Sequence, residues 1–205
     1  MQGKPALGFL PRRSVLVGAV TLGLSATVAE SALSPTEAAA ETRYTLDGWR
    51  FCVNCFGLFL RDFTVEQSLC PRNGGPHQPA GWTFRLTYNL DSAGTGEDAN
   101  TQANWRHCYR CAGLYWGPST ALRCPAGGAH SYIHPGGYPR QFLLHHDIGQ
   151  PAGTQNRWRF CFKCSVLFFN GYADKGEYGL CPYDHIYGHT AAGYDFAIPV
   201  SAYTA

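Results

Sequence analysis

The feature that most constrains this chain is a motif that occurs three times in the same order. Trp49-Arg50-Phe51-Cys52-Val53-Asn54-Cys55 is followed by Leu58-Phe59, Cys70-Pro71 and His77. Trp105-Arg106-His107-Cys108-Tyr109-Arg110-Cys111 is followed by Leu114-Tyr115, Cys124-Pro125 and His130. Trp158-Arg159-Phe160-Cys161-Phe162-Lys163-Cys164 is followed by Leu167-Phe168, Cys181-Pro182 and His189. Chance does not produce W-R-x-C-x-x-C-x-x-L followed by C-P three times, so the chain from Trp49 onward is an internal repeat. A unit of this size buries too little apolar surface to fold alone and leaves open sheet edges. The units must share a core or be stapled separately.

Inside each repeat the pattern is that of short strands. Trp49 to Cys52 and Phe56 to Leu60 are aromatic and branched, and Trp82-Thr83-Phe84-Arg85-Leu86 alternates apolar with polar residues at the strand period. The Cys-Pro-Gly-Gly segment excludes helix, and the chain's 24 Gly and 13 Pro leave little from which to build long helices. About four short strands per repeat, about twelve in all, predict an all-β fold with repeats at 45–90, 101–146 and 154–200. A β-trefoil, three strand pairs closing a barrel capped by three hairpins, satisfies that count. Three tandem zinc-ribbon-like modules are the alternative. The polar stretches Asp91 to Asn104 and Asp147 to Arg157 read as connecting loops.

Nine cysteines is an odd number, three per repeat, so a disulfide framework would leave thiols over. A histidine completes each set. Cys52, Cys55, Cys70 and His77, then Cys108, Cys111, Cys124 and His130, then Cys161, Cys164, Cys181 and His189 form three candidate Cys3His spheres. C-x-x-C puts two thiolates on one tight turn, and the later Cys and His come from a second, which is the donor set of a structural zinc. The expectation is about three zinc ions per chain; copper(I) or iron would also take thiolates. His134 competes with His130, and His185 with His189, but His77 and His189 both precede a Gly-aromatic pair at plus four. One disulfide per repeat with a spare cysteine is the competing arrangement.

The first 40 residues differ in kind. Lys4, Arg12 and Arg13 precede an uncharged apolar stretch from Val15 to Val28 and then small residues ending Ala38-Ala39-Ala40. That is the order of a secretory signal, and the stretch is too short and too broken by Gly18, Gly23 and Ser25 for a membrane span. Pro11-Arg12-Arg13-Ser14-Val15-Leu16 resembles the twin-arginine export motif. The resemblance implies transport of an already folded chain, which would let thiolates load metal before they meet an oxidising compartment. The expectation is an exported protein, secreted or otherwise extracytoplasmic, whose domain spans 41–205 and has no membrane span after cleavage.

The full chain carries 16 basic and 14 acidic residues, +2 in all; removing 1–40 leaves 13 and 12. Three thiolates with Zn2+ give −1 per site, taking the mature chain to about −2. No run of like charge supplies a nucleic-acid footprint. Trp49, Trp105 and Trp158 are expected in the core. His107 is expected to be a strand residue, and His145-His146-Asp147 a solvated loop. Aromatics outside the repeat consensus, Trp116, Tyr132, Tyr172 and Tyr187, are candidate ligand-binding residues. They suit a binding module for carbohydrate or another cell-envelope component, because sugar faces stack on rings without opposite charge. Metal storage or sensing is a second reading and a secreted enzyme a third, although no hydrolase constellation is recognisable. Oligomeric state is not specified by the sequence.

W-x-x-C-x-x-C-x-x-L followed by C-P, Gly-Gly and His, as in Cys124-Pro125-Ala126-Gly127-Gly128-Ala129-His130, resembles a repeat of exported bacterial proteins, notably of actinobacteria. In these it is sometimes appended to secreted enzymes. The resemblance covers 45–200, and the third repeat departs from it by placing Tyr183-Asp184-His185 where Gly-Gly stands. It implies an exported repeat architecture and assigns no activity.

Overall fold

The computed structural model describes residues 43–61, 68–90, 96–120, 123–132 and 139–201. The export segment and the competing His134 lie outside them. Among the described residues there are nine strands and no α-helix. They are β1 (Tyr44–Cys52), β2 (Leu58–Leu60), β3 (Pro79–Leu90), β4 (Thr101–His107), β5 (Leu114–Trp116), β6 (Arg140–His146), β7 (Thr154–Cys161), β8 (Leu167–Phe169) and β9 (Ala191–Pro199). All pair antiparallel in one sheet.

The strands of the three repeat tryptophans, β1, β4 and β7, each pair on one side with a short strand and on the other with a longer one. Trp49 stands opposite Leu60 and Phe84, Trp105 opposite Trp116 and Phe142, and Trp158 opposite Phe169 and Phe196. The longer strands then join one another. β3 pairs β6 through Thr87 and Leu143, β6 pairs β9 through His145 and Ala197, and Phe84 bridges to Val200 beyond β9. Shared pairing of this kind is incompatible with three independent modules.

Two details differ from the sequence expectation. Among the described residues each repeat supplies three strands and not four, because the Cys-Pro segment is turn; in the first repeat it holds only an isolated bridge between Leu69 and Pro76. The stretches ending at Asn104 and Arg157 are not wholly loop, since β4 starts at Thr101 and β7 at Thr154. A bulge hides them. Register shifts fall between Gln102 and Trp105 and between Gln155 and Trp158, with Asn104 and Arg157 at φ 65° and 64°. In β1 the equivalent shift is taken by Gly48 at φ 90°. An extra residue in the ladder breaks the period-2 alternation from which a strand is read.

The core draws on all three repeats. Trp49, Trp105 and Trp158 are fully buried. Each meets edge to face a phenylalanine from another repeat: Trp49 with Phe142 at 5.1 Å, Trp105 with Phe196 at 5.1 Å, and Trp158 with Phe84 at 5.4 Å. Leu58, Leu86, Leu114, Leu144, Leu167 and Ile198 fill the remainder. Truncating one such tryptophan to Ala costs about 3–5 kcal/mol, a large part of the net stability of an ordinary domain.

The short strands carry a second set of links. Leu60 N–H donates to the Ala112 carbonyl at 3.0 Å, Trp116 to Ser165 at 3.0 Å, and Phe169 to Phe56 at 2.9 Å. All three acceptors sit in left-handed conformation directly after a C-x-x-C, at φ 62° for Phe56, 59° for Ala112 and 68° for Ser165. Their own N–H groups return to the first cysteine's carbonyl at 2.7–2.8 Å. Backbone bonding therefore holds each cysteine turn closed and fastens it to a neighbouring repeat.

Candidate metal centres

The turns bring the twelve predicted donors together in three groups. Within Cys52/Cys55/Cys70/His77, Cys108/Cys111/Cys124/His130 and Cys161/Cys164/Cys181/His189, one ligand atom from each residue lies within 4.8 Å of the others. Cys52 and Cys70 sulfurs are 3.9 Å apart, as are those of Cys108 and Cys124. The histidine Nδ1 lies 3.4 Å from Cys55 Sγ, 3.5 Å from Cys111 Sγ and 3.4 Å from Cys164 Sγ. A tetrahedral zinc with bonds of about 2.3 Å to sulfur and 2.0 Å to nitrogen spaces sulfurs by about 3.8 Å and sulfur from nitrogen by about 3.5 Å. The geometry fits such an ion. A disulfide needs about 2.05 Å, and all nine cysteines are free and buried.

Electrostatics point the same way. Cys52 is held far below the ordinary thiol range, first by the Cys55 thiol, then by Cys70 and the His77 imidazole. Cys108 and Cys161 are lowered likewise by Cys111 and Cys164. Burial pushes Cys55 and Cys164 up, and the neighbouring Cys108 sulfur leads the rise at Cys111. For His77 and His189 burial works downward, but bonds and charge from the paired cysteines outweigh it and raise both to about 9. Buried thiols that resist sharing more than one negative charge form a site completed by a divalent cation. Four protein donors fill a tetrahedral sphere, leaving no position for substrate.

Each imidazole also reaches out of its own cluster. Nε2 of His77 lies 3.0 Å from the Cys111 carbonyl, that of His130 3.2 Å from Cys164, and that of His189 2.9 Å from Cys55. With Nδ1 turned to the metal position, Nε2–H is the donor, an outer-shell bond that fixes tautomer and ring orientation. The three bonds run in a circuit, each histidine supporting the C-x-x-C turn of another centre.

Two supporting positions were not singled out from the sequence. Phe59, Tyr115 and Phe168 stack on His77, His130 and His189 at 4.6, 4.8 and 4.6 Å. The recurrence of an aromatic after each repeat leucine was their signal. The third residue of each C-x-x-C loop ties the two ligand turns together. Asn54 accepts from Arg72, Arg110 donates to the Ala126 and Gly127 carbonyls at 2.6 and 2.8 Å, and Lys163 reaches Asp184 at 2.5 Å. Arg110 and Lys163 are both cationic donors, but Asn54 is a neutral acceptor, so no residue type repeats at this position in all three units.

The third centre resolves the histidine ambiguity. His189 is buried in the cluster, whereas His185 is exposed. In place of Gly-Gly, Asp184 accepts the N–H groups of Ile186 and Tyr187 at 3.2 and 3.0 Å while pairing with Lys163. A carboxylate-capped turn thus delivers His189 where a glycine turn delivers His77 and His130.

The remaining candidates are dispersed. Trp116 is half-buried against Phe160 at 5.8 Å. Tyr132 lies under the Arg106 guanidinium at 4.8 Å, and Tyr187 is 75% exposed. Tyr172 alone of the four lines a cleft of about 430 Å³. His107 ends β4 and packs on Trp49 at 5.8 Å. His145 and His146 belong to β6, correcting the loop expectation. His145 is exposed and meets Thr101 at 3.1 Å; His146 is buried, stacks on Tyr194 at 3.7 Å and meets Asp147 at 3.1 Å. No described helix is long and apolar enough to cross a membrane. Comparison with protein-family models, curated proteins and solved structures finds no match.

Proposed function

We propose that the chain is an exported binding module, a β-trefoil-type fold stapled by three zinc ions, that recognises carbohydrate or another cell-envelope component. The observation that carries the reading is the closed, buried character of all three Cys3His groups. Donor sets without an open position, locked by outer-shell bonds from another repeat, favour a structural metal over one that is stored, sensed or catalytic. Cyclic contacts between the repeats support the trefoil assignment. A mature chain near neutrality with exposed Trp82, Tyr132, Tyr183, Tyr187 and Tyr194 favours recognition through ring faces over charge.

Elemental analysis of the purified mature chain with a free-thiol count tests the staple. About three metal ions and no disulfide are expected, and three disulfides without metal overturn it. Binding to polysaccharides and cell-wall fractions tests recognition, with Trp116→Ala and Tyr187→Ala compared at unchanged metal content. A chain that stays folded when emptied of metal is a storage or sensing protein instead.

A further inference from the structure

The cleft beside Tyr172 is separate from the metal centres and is formed where β1 and β3 meet β8 and the turn after it. Four of its rings make a closed circuit. Phe51 and Phe56 are 5.4 Å apart, Phe56 and Tyr172 5.6 Å, Tyr172 and Phe169 5.3 Å, and Phe169 and Phe51 5.9 Å. Three of these contacts are edge to face and the fourth is tilted by 39°. Trp82, 44% exposed, adds a fifth ring to the lining. Phe56 is the unusual member. A bulky residue at φ 62° is strained, and the equivalent turns place the small Ala112 and Ser165 there. Strain of this kind collects where a side chain serves a ligand.

The amide and carboxylate side chains in the lining are Gln155 and Glu177, and neither makes a side-chain hydrogen bond or ion pair with a described residue. No Lys, Arg or His lines the cleft. Arg50 turns its Nη2 onto the Gly81 carbonyl at 3.1 Å, and Lys175 lies over the Tyr172 ring at 5.4 Å without lining the space. Ring faces and a free carboxylate are both electronegative, so an anion is repelled. A sugar ring brings several hydroxyls to a lining whose side-chain hydrogen-bonding groups are Gln155, Glu177, the Trp82 indole and the Tyr172 hydroxyl, set among apolar ring faces that offer hydroxyls no partner. An alkylated ammonium brings a positive charge spread over methyl groups, apolar surface to bury and no N–H to satisfy.

We propose that this cleft binds a trimethylammonium group among the rings of Phe51, Phe56, Trp82, Phe169 and Tyr172, with Glu177 as its counter-charge. The inference goes beyond the module reading and does not depend on the glycan assignment. It is tested on the metal-loaded chain by following tryptophan fluorescence during titration with choline and with its isostere in which carbon replaces the quaternary nitrogen. Saturable choline binding is expected, with the uncharged isostere about tenfold weaker. Glu177→Gln should weaken choline severalfold and leave the isostere unaffected, while Tyr172→Leu weakens both. Metal content and melting temperature, measured on both variants, exclude misfolding as the cause. Phosphatidylcholine vesicles added in parallel distinguish a lipid headgroup from a free solute as the source of the group. Equal affinity for choline and isostere, no saturation by about 50 mM choline, or unchanged binding by both variants overturns the proposal. Absence of polysaccharide and cell-wall binding by the unsubstituted chain, with choline binding intact, overturns the glycan reading alone.

Discussion

Replacing His189 separates its two tasks, donation to metal and support of another centre. His189→Cys keeps four donors. The ligating atom is Nδ1, the nearer ring nitrogen, so a cysteine sulfur with its longer metal bond covers nearly the same reach. It loses the bond to the Cys55 carbonyl and the stack on Phe168. An unpaired buried carbonyl costs about 1–3 kcal/mol and a lost ring stack about 0.5–1.5 kcal/mol. The expected loss is about 2–4 kcal/mol, a fall in melting temperature of about 5–15 °C in a domain of this size, with three metal ions retained. His189→Ala removes the donor as well. A structural zinc contributes about 10–16 kcal/mol, as much as the whole net stability of a typical domain, so this variant should lose the cooperative transition. Elemental analysis beside thermal melting reads both quantities. His189→Ala with parental metal content and melting would refute the ligand assignment, and His189→Cys melting like the parent would refute the role of the cross-repeat bond.

Acid should release metal and structure together. Ligation needs thiolate sulfurs and a neutral imidazole, so protons compete with the ion; the stability contributed by the depressed Cys52, Cys108 and Cys161 likewise declines as pH falls below the ordinary thiol value of about 8.5. Metal content and near-ultraviolet circular dichroism are expected to share one midpoint on acidification, and a tertiary signal outlasting the metal contradicts this. Gly179→Ala should cost about 2–4 kcal/mol, because φ is +66° and a Cβ would overlap the Cys55 carbonyl. Gly74→Ala, at φ +68° with open space, should cost only about 1 kcal/mol; equal melting of the two variants would show that the close approach at Cys55 is unimportant. Changing Arg12 and Arg13 together to Lys should trap precursor in the cell, with mature protein starting at Glu41; normal secretion would remove the twin-arginine reading.

The donors were legible because coordination demands particular residue types at short spacing, and three copies multiply that signal. Nothing in the repeat spacing prefers one irregular turn over another. The choice of His189 over His185 rested on the aromatic downstream of it, Tyr194, and the turn that enforces the choice is built around Asp184, which the other repeats lack. Strand starts at Thr101 and Thr154 were masked by bulges, because a ladder with an inserted residue is read from backbone pairing and not from alternation. The cleft was illegible for a different reason. Phe51, Phe56 and Trp82 sit within the first repeat and read as ordinary hairpin residues. Their proximity to Phe169 and Tyr172 arises only when the first and third repeats meet.

The distribution of apolar surface explains what a metal ion would add at each cluster. Tryptophan, phenylalanine and leucine from all three repeats form one core, but beside the cysteine turns the buried residues are the cysteines themselves, with Phe59, Tyr115, Phe168, Val166 and Ala112. Thiols make a poor core there. They are small, and their ionised forms repel one another when buried. An ion at each position would convert that repulsion into a bond between two turns 13 or more residues apart, supplying the cohesion that side-chain packing does not. Because His77, His130 and His189 each bond to a ligand cysteine of another centre, filling one site orients the next turn to be filled. Such a chain gains most by acquiring all its metal in one folding event in a reducing compartment. That is the order of events that the paired arginines at 12 and 13 would permit, with folding first and export after.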